Sequence, residues 1–159
     1  MEVYLASAAG LLSWCGKWRK IPTPLAHPTL LAACGTDVAL ADSVNRLLYR
    51  QGRISTLPPG VEVLRCWRNQ LLTLSSETNC LTLYDAHDYP LVTSPAGIRP
   101  CGCAVVDCQV IVCGCEDGCL HIFSLPDLRE IAAYPVPGCP MRVAADGGVL
   151  TCLSLLSPD

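Results

Sequence analysis

The stretch QLLTLSSETNCLTLYD, residues 70–85, contains two apolar runs on either side of a short polar turn. Each run is short and rich in Leu and Thr. This pattern favours a β-strand, because the apolar positions of a helix recur every three to four residues over a longer segment. The turn, SETN at 76–79, ends in Asn, which tolerates the positive φ angle that a tight reversal needs. The stretch therefore predicts a β-hairpin that ends in an aromatic residue, Tyr84.

The same pattern recurs along the chain. Corresponding stretches are VYLASAAGLLSW (3–14), DVALADSVNRLLYR (37–50) and QVIVCGCEDGCLHIFS (109–124), and a partial unit occupies 141–157. The aromatic residues that end the four hairpins, Trp14, Tyr49, Tyr84 and Phe123, lie 35, 35 and 39 residues apart. Each hairpin is followed by a predicted outer strand, a turn rich in Pro and Gly, and an inner strand rich in small residues. A unit of four antiparallel strands in about 35–40 residues has the size of one β-propeller blade.

The hairpin endings ETNCLTLYD and EDGCLHIFS, with the Pro/Gly turn after each, resemble the blades of WD40-type and YVTN/YncE-type propellers. The chain has no Trp-Asp dipeptide and lacks the Gly-His that opens a WD40 unit, so it is more similar to the YVTN-like kind. The resemblance covers nearly the whole chain. It implies an all-β propeller, and the number of predicted strands indicates about four four-stranded blades in a single domain, 1–159.

Closure of the ring is a separate question. The predicted strands number about 17, one more than four blades require, and the first predicted outer strand lies at 20–25. The chain forms either a small closed ring with one strand over or an open arc, and we expect the arc. The C-terminal strand GVLTCLSLL (148–156) is apolar on both faces, so we expect it to pair with residues 3–8 or with a second copy. The alternative is that the chain is part of a larger propeller.

The composition excludes several classes of protein. With 51% hydrophobic and 16% charged residues, the chain is not of the disordered class. A net charge of −3 argues against a nucleic-acid partner, which would require a basic surface. The apolar stretch 3–15 is interrupted, is too short to cross a membrane and has no positive charge before it. We therefore expect a soluble cytoplasmic protein with neither a nucleic-acid nor a membrane partner.

The 12 cysteines allow three interpretations: a disulfide framework, a metal site, or small buried hydrophobes. The cysteine-rich segment 101–119 contains Cys-x-Cys pairs and no Cys-x-x-Cys pair, so its spacing differs from that of a zinc knuckle. We favour packing, with Cys103, Cys113 and Cys115 as buried free thiols, and we expect no metal and no cofactor.

No GxSxG, GxGxxG, HExxH or P-loop motif occurs in the sequence. The group Asp85, His87 and Asp88 resembles a metal or acid–base site, but it also fits a solvated loop between strands. Asp85 and Asp107 each end an apolar strand, where a carboxylate can accept backbone N–H groups of a turn. We expect no catalytic residues and favour a non-enzymatic binding scaffold. The alternative, implied by relatives of the fold, is a lactonase-like propeller hydrolase.

Two basic and aromatic clusters are candidates for an interaction surface. Arg65, Trp67 and Arg68 lie in the segment RCWRNQ, and Trp14 and Trp18 flank Lys17. Trp and Arg are the residues most often found at the centres of protein interfaces. These clusters predict a surface for a protein partner or small ligand whose identity the sequence does not give. A homodimer through open blade edges is a further possibility.

Overall fold

The computed structural model describes residues 3–7, 10–35, 37–114, 116–146 and 148–155. Within these residues the chain forms 17 β-strands and no helix, so it contains no helix long enough to span a membrane. The strands make five antiparallel sheets that follow one another along the chain. We number these sheets as blades 1 to 5.

Blades 2, 3 and 4 each contain four strands in sequence order. Blade 2 consists of β4 (Leu30–Cys34), β5 (Asp37–Asp42), β6 (Leu47–Arg50) and β7 (Arg53–Thr56). Blade 3 consists of β8 (Val61–Trp67), β9 (Gln70–Ser75), β10 (Cys80–Tyr84) and β11 (Pro90–Pro95). Blade 4 consists of β12 (Gly102–Val106), β13 (Gln109–Cys113), β14 (Cys119–Ser124) and β15 (Glu130–Pro135).

The two terminal blades have fewer strands. Blade 1 contains β1 (Val3–Ser7), β2 (Gly10–Trp14) and β3 (Trp18–Ile21), which match the second, third and fourth strands of a full blade. Blade 5 contains β16 (Cys139–Asp146) and β17 (Val149–Leu155), which match the first and second. The sequence places the outer strand of blade 1 at 20–25, which is wrong, because the short turn after Trp14 lets pairing resume at Trp18.

A repeated turn fixes the register of the full blades. The turn between the second and third strands contains a residue with positive φ in each: Arg46 at 57°, Asn79 at 55° and Gly118 at 69°. The carbonyl of that residue accepts a hydrogen bond from an N–H at the end of the outer strand. The three bonds are Leu57 N to Arg46 O at 2.8 Å, Ala96 N to Asn79 O at 2.8 Å and Val136 N to Gly118 O at 3.0 Å. The hairpins predicted from the sequence are therefore confirmed, and each is attached to its own outer strand.

The hydrophobic core lies between the blades. The cluster between blades 3 and 4 contains Leu72, Leu83, Val112 and Phe123, all almost fully buried. Similar clusters lie between blades 1 and 2, blades 2 and 3, and blades 4 and 5. Burying one such Leu or Phe side chain contributes about 1.5–3 kcal/mol, so each blade depends on its neighbours for stability.

The first strands of successive blades are neighbours around one axis. β4 contacts β8, β8 contacts β12, and β12 contacts β16. Among the described residues no strand pairing joins blade 5 to blade 1, so the ring is not closed. β17 pairs with β16 alone within this part of the chain, and its Val149, Leu153 and Leu155 are exposed. Among the described residues, β17 does not pair with β1, so the expected pairing of the C-terminal strand with the N-terminal strand is not found there.

Candidate functional site

The exposed turn between β2 and β3 carries a pair of tryptophans. Trp14 and Trp18 face each other as cross-strand partners, with ring centroids 5.3 Å apart and ring planes inclined at 52°. Their exposed fractions are 38% and 52%, so both rings retain surface that contacts no protein atom. The pairing fixes the orientation of two large side chains that would otherwise be mobile in water.

Positive charge surrounds this pair. Lys17, Arg19 and Lys20 are exposed on the same turn and strand, and Lys17 and Lys20 are the only lysines of the chain. No Asp or Glu occurs in 3–36. Residues 3–36 therefore carry a net positive charge, although the whole chain carries a net charge of −3. We call Trp14, Lys17, Trp18, Arg19 and Lys20 the basic-aromatic hairpin.

Trp67, in the second cluster, occupies a different environment. Its exposed fraction is 9%, and its indole Nε1 donates a hydrogen bond of 2.6 Å to the carbonyl oxygen of Asp107 in blade 4. The guanidinium of Arg68 covers the ring, 4.5 Å from its centroid. The expectation that Trp67 contributes to an exposed patch is therefore wrong, because its ring fills the junction between blades 3 and 4. Arg68 remains exposed.

Arg65 lies on the axial side of the inner strands, in a cavity of about 140 Å³ lined by β4, β8, β12 and β16. We call this space the axial cavity. Arg65 Nε donates to the carbonyl oxygen of Cys103 at 3.2 Å, and its Nη1 donates to Leu64 O at 3.0 Å. Arg142, from β16, reaches the same cavity. Its Nη1 donates to Cys101 O at 3.0 Å and to Met141 O at 2.8 Å.

The remaining polar groups of the axial cavity are one carboxylate and two thiols. Glu62 accepts a hydrogen bond from Ser76 Oγ and makes no ion pair with either arginine. Burial raises the pKa of the Cys103 thiol to about 12. Burial also raises the pKa of Cys101, whose Sγ donates to Met141 O at 3.1 Å. Both cysteines are therefore neutral at physiological pH, and neither is an activated nucleophile.

The group at Asp85, His87 and Asp88 forms a structured turn. Asp85 Oδ1 accepts hydrogen bonds from the backbone N–H groups of Tyr89 at 2.9 Å and His87 at 2.8 Å, and these bonds lower its pKa. The prediction that Asp85 forms a turn is confirmed. Asp88 lies within ion-pair distance of Arg50 and Arg53. Among the described residues, no group of His, Cys, Asp and Glu is arranged to hold a metal ion.

His121, on β14, lies between two carboxylates. Its Nδ1 is 2.7 Å from Glu130 Oε1 and its Nε2 is 2.9 Å from Asp117 Oδ2. Burial opposes the charged form, but the hydrogen bonds and charges of Glu130 and Asp117 outweigh it and raise the pKa of His121. Because both ring nitrogens are engaged, this group is a structural ion cluster.

The cysteines follow the packing interpretation only in part, because Cys15, Cys108 and Cys139 are exposed. Cys103 is a buried free thiol, as predicted, and Cys113 is buried, while Cys115 lies outside the described residues. Cys66 is disulfide-bonded, which the preference for packing did not anticipate.

Arg142 was missed by the sequence analysis. Its segment MRVAAD has the same place in its blade as the β8 strand that contains Arg65. The inner strands consist mostly of small and aliphatic residues, so an arginine stands out in them. Aligning the inner strands of the blades would therefore have identified Arg142 together with Arg65.

Comparison with known proteins gives a fold and no family. No protein-family model matches the sequence, and a search of curated proteins gives no match. The structure is similar to the computationally designed Ika8 protein, with a TM-score of 0.75 and 11% identity over 95% of this chain and 52% of Ika8. Apo AztD from Citrobacter koseri gives a TM-score of 0.72 and 15% identity, covering 92% of this chain and 48% of AztD.

A catalytically inactive virginiamycin B lyase from Staphylococcus aureus, solved with quinupristin, has a TM-score of 0.69 and 16% identity. The match covers 95% of this chain and 59% of the lyase. The chain thus spans about half the length of these three proteins. At these identities the comparisons show the fold alone: the chain is an all-β, propeller-like protein.

Proposed function

We propose that the protein is a non-enzymatic interaction module that binds an acidic segment of a protein partner through the basic-aromatic hairpin. The observation that carries this proposal is the exposed, mutually oriented pair of Trp14 and Trp18 within a cluster of positive charge. The scaffold resembles a rigid propeller with recognition residues on its turns, which is the common arrangement for binding modules.

The tryptophan pair is suited to an interface in a way that the other exposed apolar residues are not. Trp buries more area than any other side chain and dominates the binding energy of many protein interfaces. Since Trp14 and Trp18 already contact each other, little conformational entropy is lost when a partner covers them. Residues such as Tyr134 are exposed without an aromatic neighbour in the described structure.

The charge distribution supports an acidic partner. Blade 1 presents Lys17, Arg19 and Lys20 without a neighbouring carboxylate in its own sequence, whereas all acidic residues except Glu2 lie at or beyond residue 37. An acidic segment would therefore be attracted to blade 1 and repelled by the rest of the surface. Such complementarity raises association rates and fixes the orientation of a partner.

The hydrolase alternative has less support. A hydrolase requires an acid–base pair or a metal where substrate binds. Among the described residues that line the axial cavity, Glu62 is the only carboxylate and there is no histidine. We therefore favour binding over catalysis.

Fluorescence anisotropy tests the proposal with a short fluorescein-labelled peptide rich in Glu and Leu, and with the same peptide carrying Lys for Glu. We expect the acidic peptide alone to bind, more weakly as salt is added. The Trp14→Ala/Trp18→Ala variant should bind about tenfold or more weakly, since two anchors are lost. The matched control is Tyr134→Ala, which removes an exposed aromatic residue from blade 4.

Three results would contradict the proposal: equal binding of both peptides, an equal effect of Tyr134→Ala, or tighter binding to phosphatidylserine vesicles than to the acidic peptide. The last result would assign the hairpin to an anionic membrane surface, where Trp and Lys also accumulate.

We further propose that the open edge of β17 pairs with another strand, supplied by a second copy or by a larger propeller. The support is the exposed apolar row Val149, Leu153 and Leu155 on a strand with one pairing partner among the described residues. Light scattering on the chain and on a Leu153→Thr/Leu155→Thr variant tests the first case. A dimer that the substitutions dissociate supports it, and a monomer at high concentration contradicts it.

Two finer assignments also belong to this proposal. We infer blades of the YVTN/YncE-like kind, on the support of the aromatic residue that ends each hairpin. We infer a cytoplasmic location, on the support of the many described cysteines, such as Cys15, Cys108 and Cys139, that form no disulfide, although Cys66 is disulfide-bonded. Cell fractionation with thiol labelling tests the location: recovery in an oxidising compartment would contradict it.

A further inference from the structure

We propose that the axial cavity binds the carboxylate group of a small monoanion, held between the guanidinium groups of Arg65 and Arg142. This site lies on blades 3 and 5 and is independent of the basic-aromatic hairpin on blade 1.

The first support is the way in which the two arginines are held. Each guanidinium bonds to carbonyl oxygens of two adjacent blades: Arg65 bridges blades 3 and 4, and Arg142 bridges blades 4 and 5. Carbonyl oxygens orient a guanidinium without neutralising its charge. The two side chains are therefore positioned before any ligand arrives, which reduces the entropy lost on binding.

The second support is the set of donors that remains. An arginine has five N–H groups, and the bonds described above use Nε and Nη1 of Arg65 and Nη1 of Arg142. Within the described part of the chain, no oxygen accepts a hydrogen bond from Nη2 of either residue or from Nε of Arg142, although the Arg142 guanidinium also lies beside the Cys101 thiol. Neither arginine has a carboxylate within ion-pair distance among the described residues. The planar donor groups of arginine match the geometry of a carboxylate.

The size and charge of the cavity define the ligand. About 140 Å³ is well below the usual range for drug-sized ligands, so the site fits a small acid or the end of a peptide. Glu62 lines the same cavity, which leaves a net charge of one positive unit from the three charged side chains. A monoanion balances that charge, whereas a phosphate dianion or a sulfate would leave an uncompensated negative charge beside Glu62.

The experiment is an NMR titration of the full-length protein that follows the arginine Nε–Hε resonances in chloride-free buffer. The probes are acetate, the neutral isostere acetamide, sulfate, and N-acetyl-dialanine with a free or an amidated C-terminus. We expect saturable shifts of Arg65 and Arg142 with acetate, a dissociation constant on the order of millimolar, and no saturation with acetamide. Tighter binding of the free dipeptide than of acetate assigns the carboxylate to a peptide C-terminus. Tighter binding of acetate assigns it to a small acid.

Three variants make the test specific. Arg142→Gln should weaken acetate binding about tenfold, because it removes a charged donor. Glu62→Gln should strengthen binding about threefold, because it removes a like charge and leaves the arginine bonds between blades intact. Arg99→Gln is the matched control, since Arg99 is exposed and paired with Glu116 at 3.1 Å, and it should leave binding unchanged.

The proposal is overturned if acetate does not saturate, if sulfate binds more tightly than acetate, or if Glu62→Gln weakens binding. Because Glu62→Gln is expected to increase affinity, loss of folding cannot imitate the expected result. A circular dichroism melt of each variant confirms that a weakened site belongs to a folded protein.

Discussion

Arg50 is a buried cation on which the junction of blades 2 and 3 depends. Its exposed fraction is 1%, and its Nη2 donates a hydrogen bond of 2.7 Å to Asn69 O in blade 3. Nη1 is 3.4 Å from Asp85 O, and the carboxylates of Asp37 and Asp88 lie 3.5 and 3.6 Å from the guanidinium. The perturbation that we consider is Arg50→Met, which keeps most of the side-chain volume and removes the charge.

The cost of Arg50→Met can be estimated from these contacts. The substitution leaves Asp88, whose side chain is 3% exposed, with Arg53 at 3.8 Å as its remaining partner. Removing one member of a buried ion pair typically costs about 3–5 kcal/mol. Two lost bonds from a charged donor, at about 1.5–3 kcal/mol each, give a similar figure. We expect the free energy of unfolding to fall by about 4 kcal/mol, a large fraction of the 5–15 kcal/mol typical of a domain.

The assay is equilibrium unfolding in urea, followed by circular dichroism. Asp88→Asn measures the other side of the pair, and the double variant should lose about 1–2 kcal/mol less than the sum of the single losses. The control is Arg99→Met, which breaks an exposed ion pair and should cost about 0.5 kcal/mol or less. A loss below about 1 kcal/mol for Arg50→Met, or an equal loss for Arg99→Met, would refute the reasoning.

The remaining predictions concern three other sites. The pKa of His121 is raised, so its charged form stabilises the fold at pH below about 6.5. This contribution disappears as the pH rises through the pKa of the folded state. In thermal melts, His121→Gln should lower Tm near pH 6 and leave it almost unchanged near pH 9. Trp67→Phe should lower the free energy of urea unfolding by about 1–2 kcal/mol, because Asp107 O loses its donor, and an unchanged midpoint would contradict that view. In urea unfolding, Gly60→Ala should lower the free energy of unfolding more than Gly52→Ala. Both glycines have positive φ, but a Cβ at position 60 would lie 2.9 Å from the backbone nitrogen of Glu77, whereas a Cβ at position 52 would contact no atom within 4 Å.

The blades could be predicted from the sequence because their signal is local. The apolar run, turn and aromatic ending of 37–50, 70–85 and 109–124 depend on strand periodicity and on residues that tolerate positive φ. Both are properties of contiguous residues. The open arc of blades was also predicted from local patterns, because counting the predicted strands gave one strand more than four four-stranded blades require. The position of β3 was missed because a short turn with a glycine at position 16 lets pairing begin earlier than the apolar pattern indicates.

The environment of individual side chains could not be predicted in the same way. Trp67 and Arg65 lie two positions apart in β8, so by alternation they should share one face. The strand pattern does not show what lies opposite each residue in the next blade. Trp67 meets the carbonyl of Asp107 and becomes buried, whereas Arg65 meets the carbonyl of Cys103 at the axial cavity and stays exposed. The difference depends on residues about 40 positions away, which no local pattern reports.

The blade junctions share a type of hydrogen bond that the apolar repeat in the sequence does not show. At each junction among blades 2 to 5, a long side chain donates to a backbone carbonyl of the adjacent blade: Arg50 to Asn69 O, Trp67 to Asp107 O, and Arg142 to Cys101 O. Leu, Val and Ala can pack between sheets in several ways. A hydrogen bond to one particular carbonyl oxygen, in contrast, has good geometry in only one relative position of the two blades. We therefore infer that apolar residues hold the blades together while these donors select their relative position. Arg50 lies on the third strand of its blade, whereas Trp67 and Arg142 lie on first strands, and the three donors are not the same residue type. The repeat is consequently clearer in strand pattern than in residue identity.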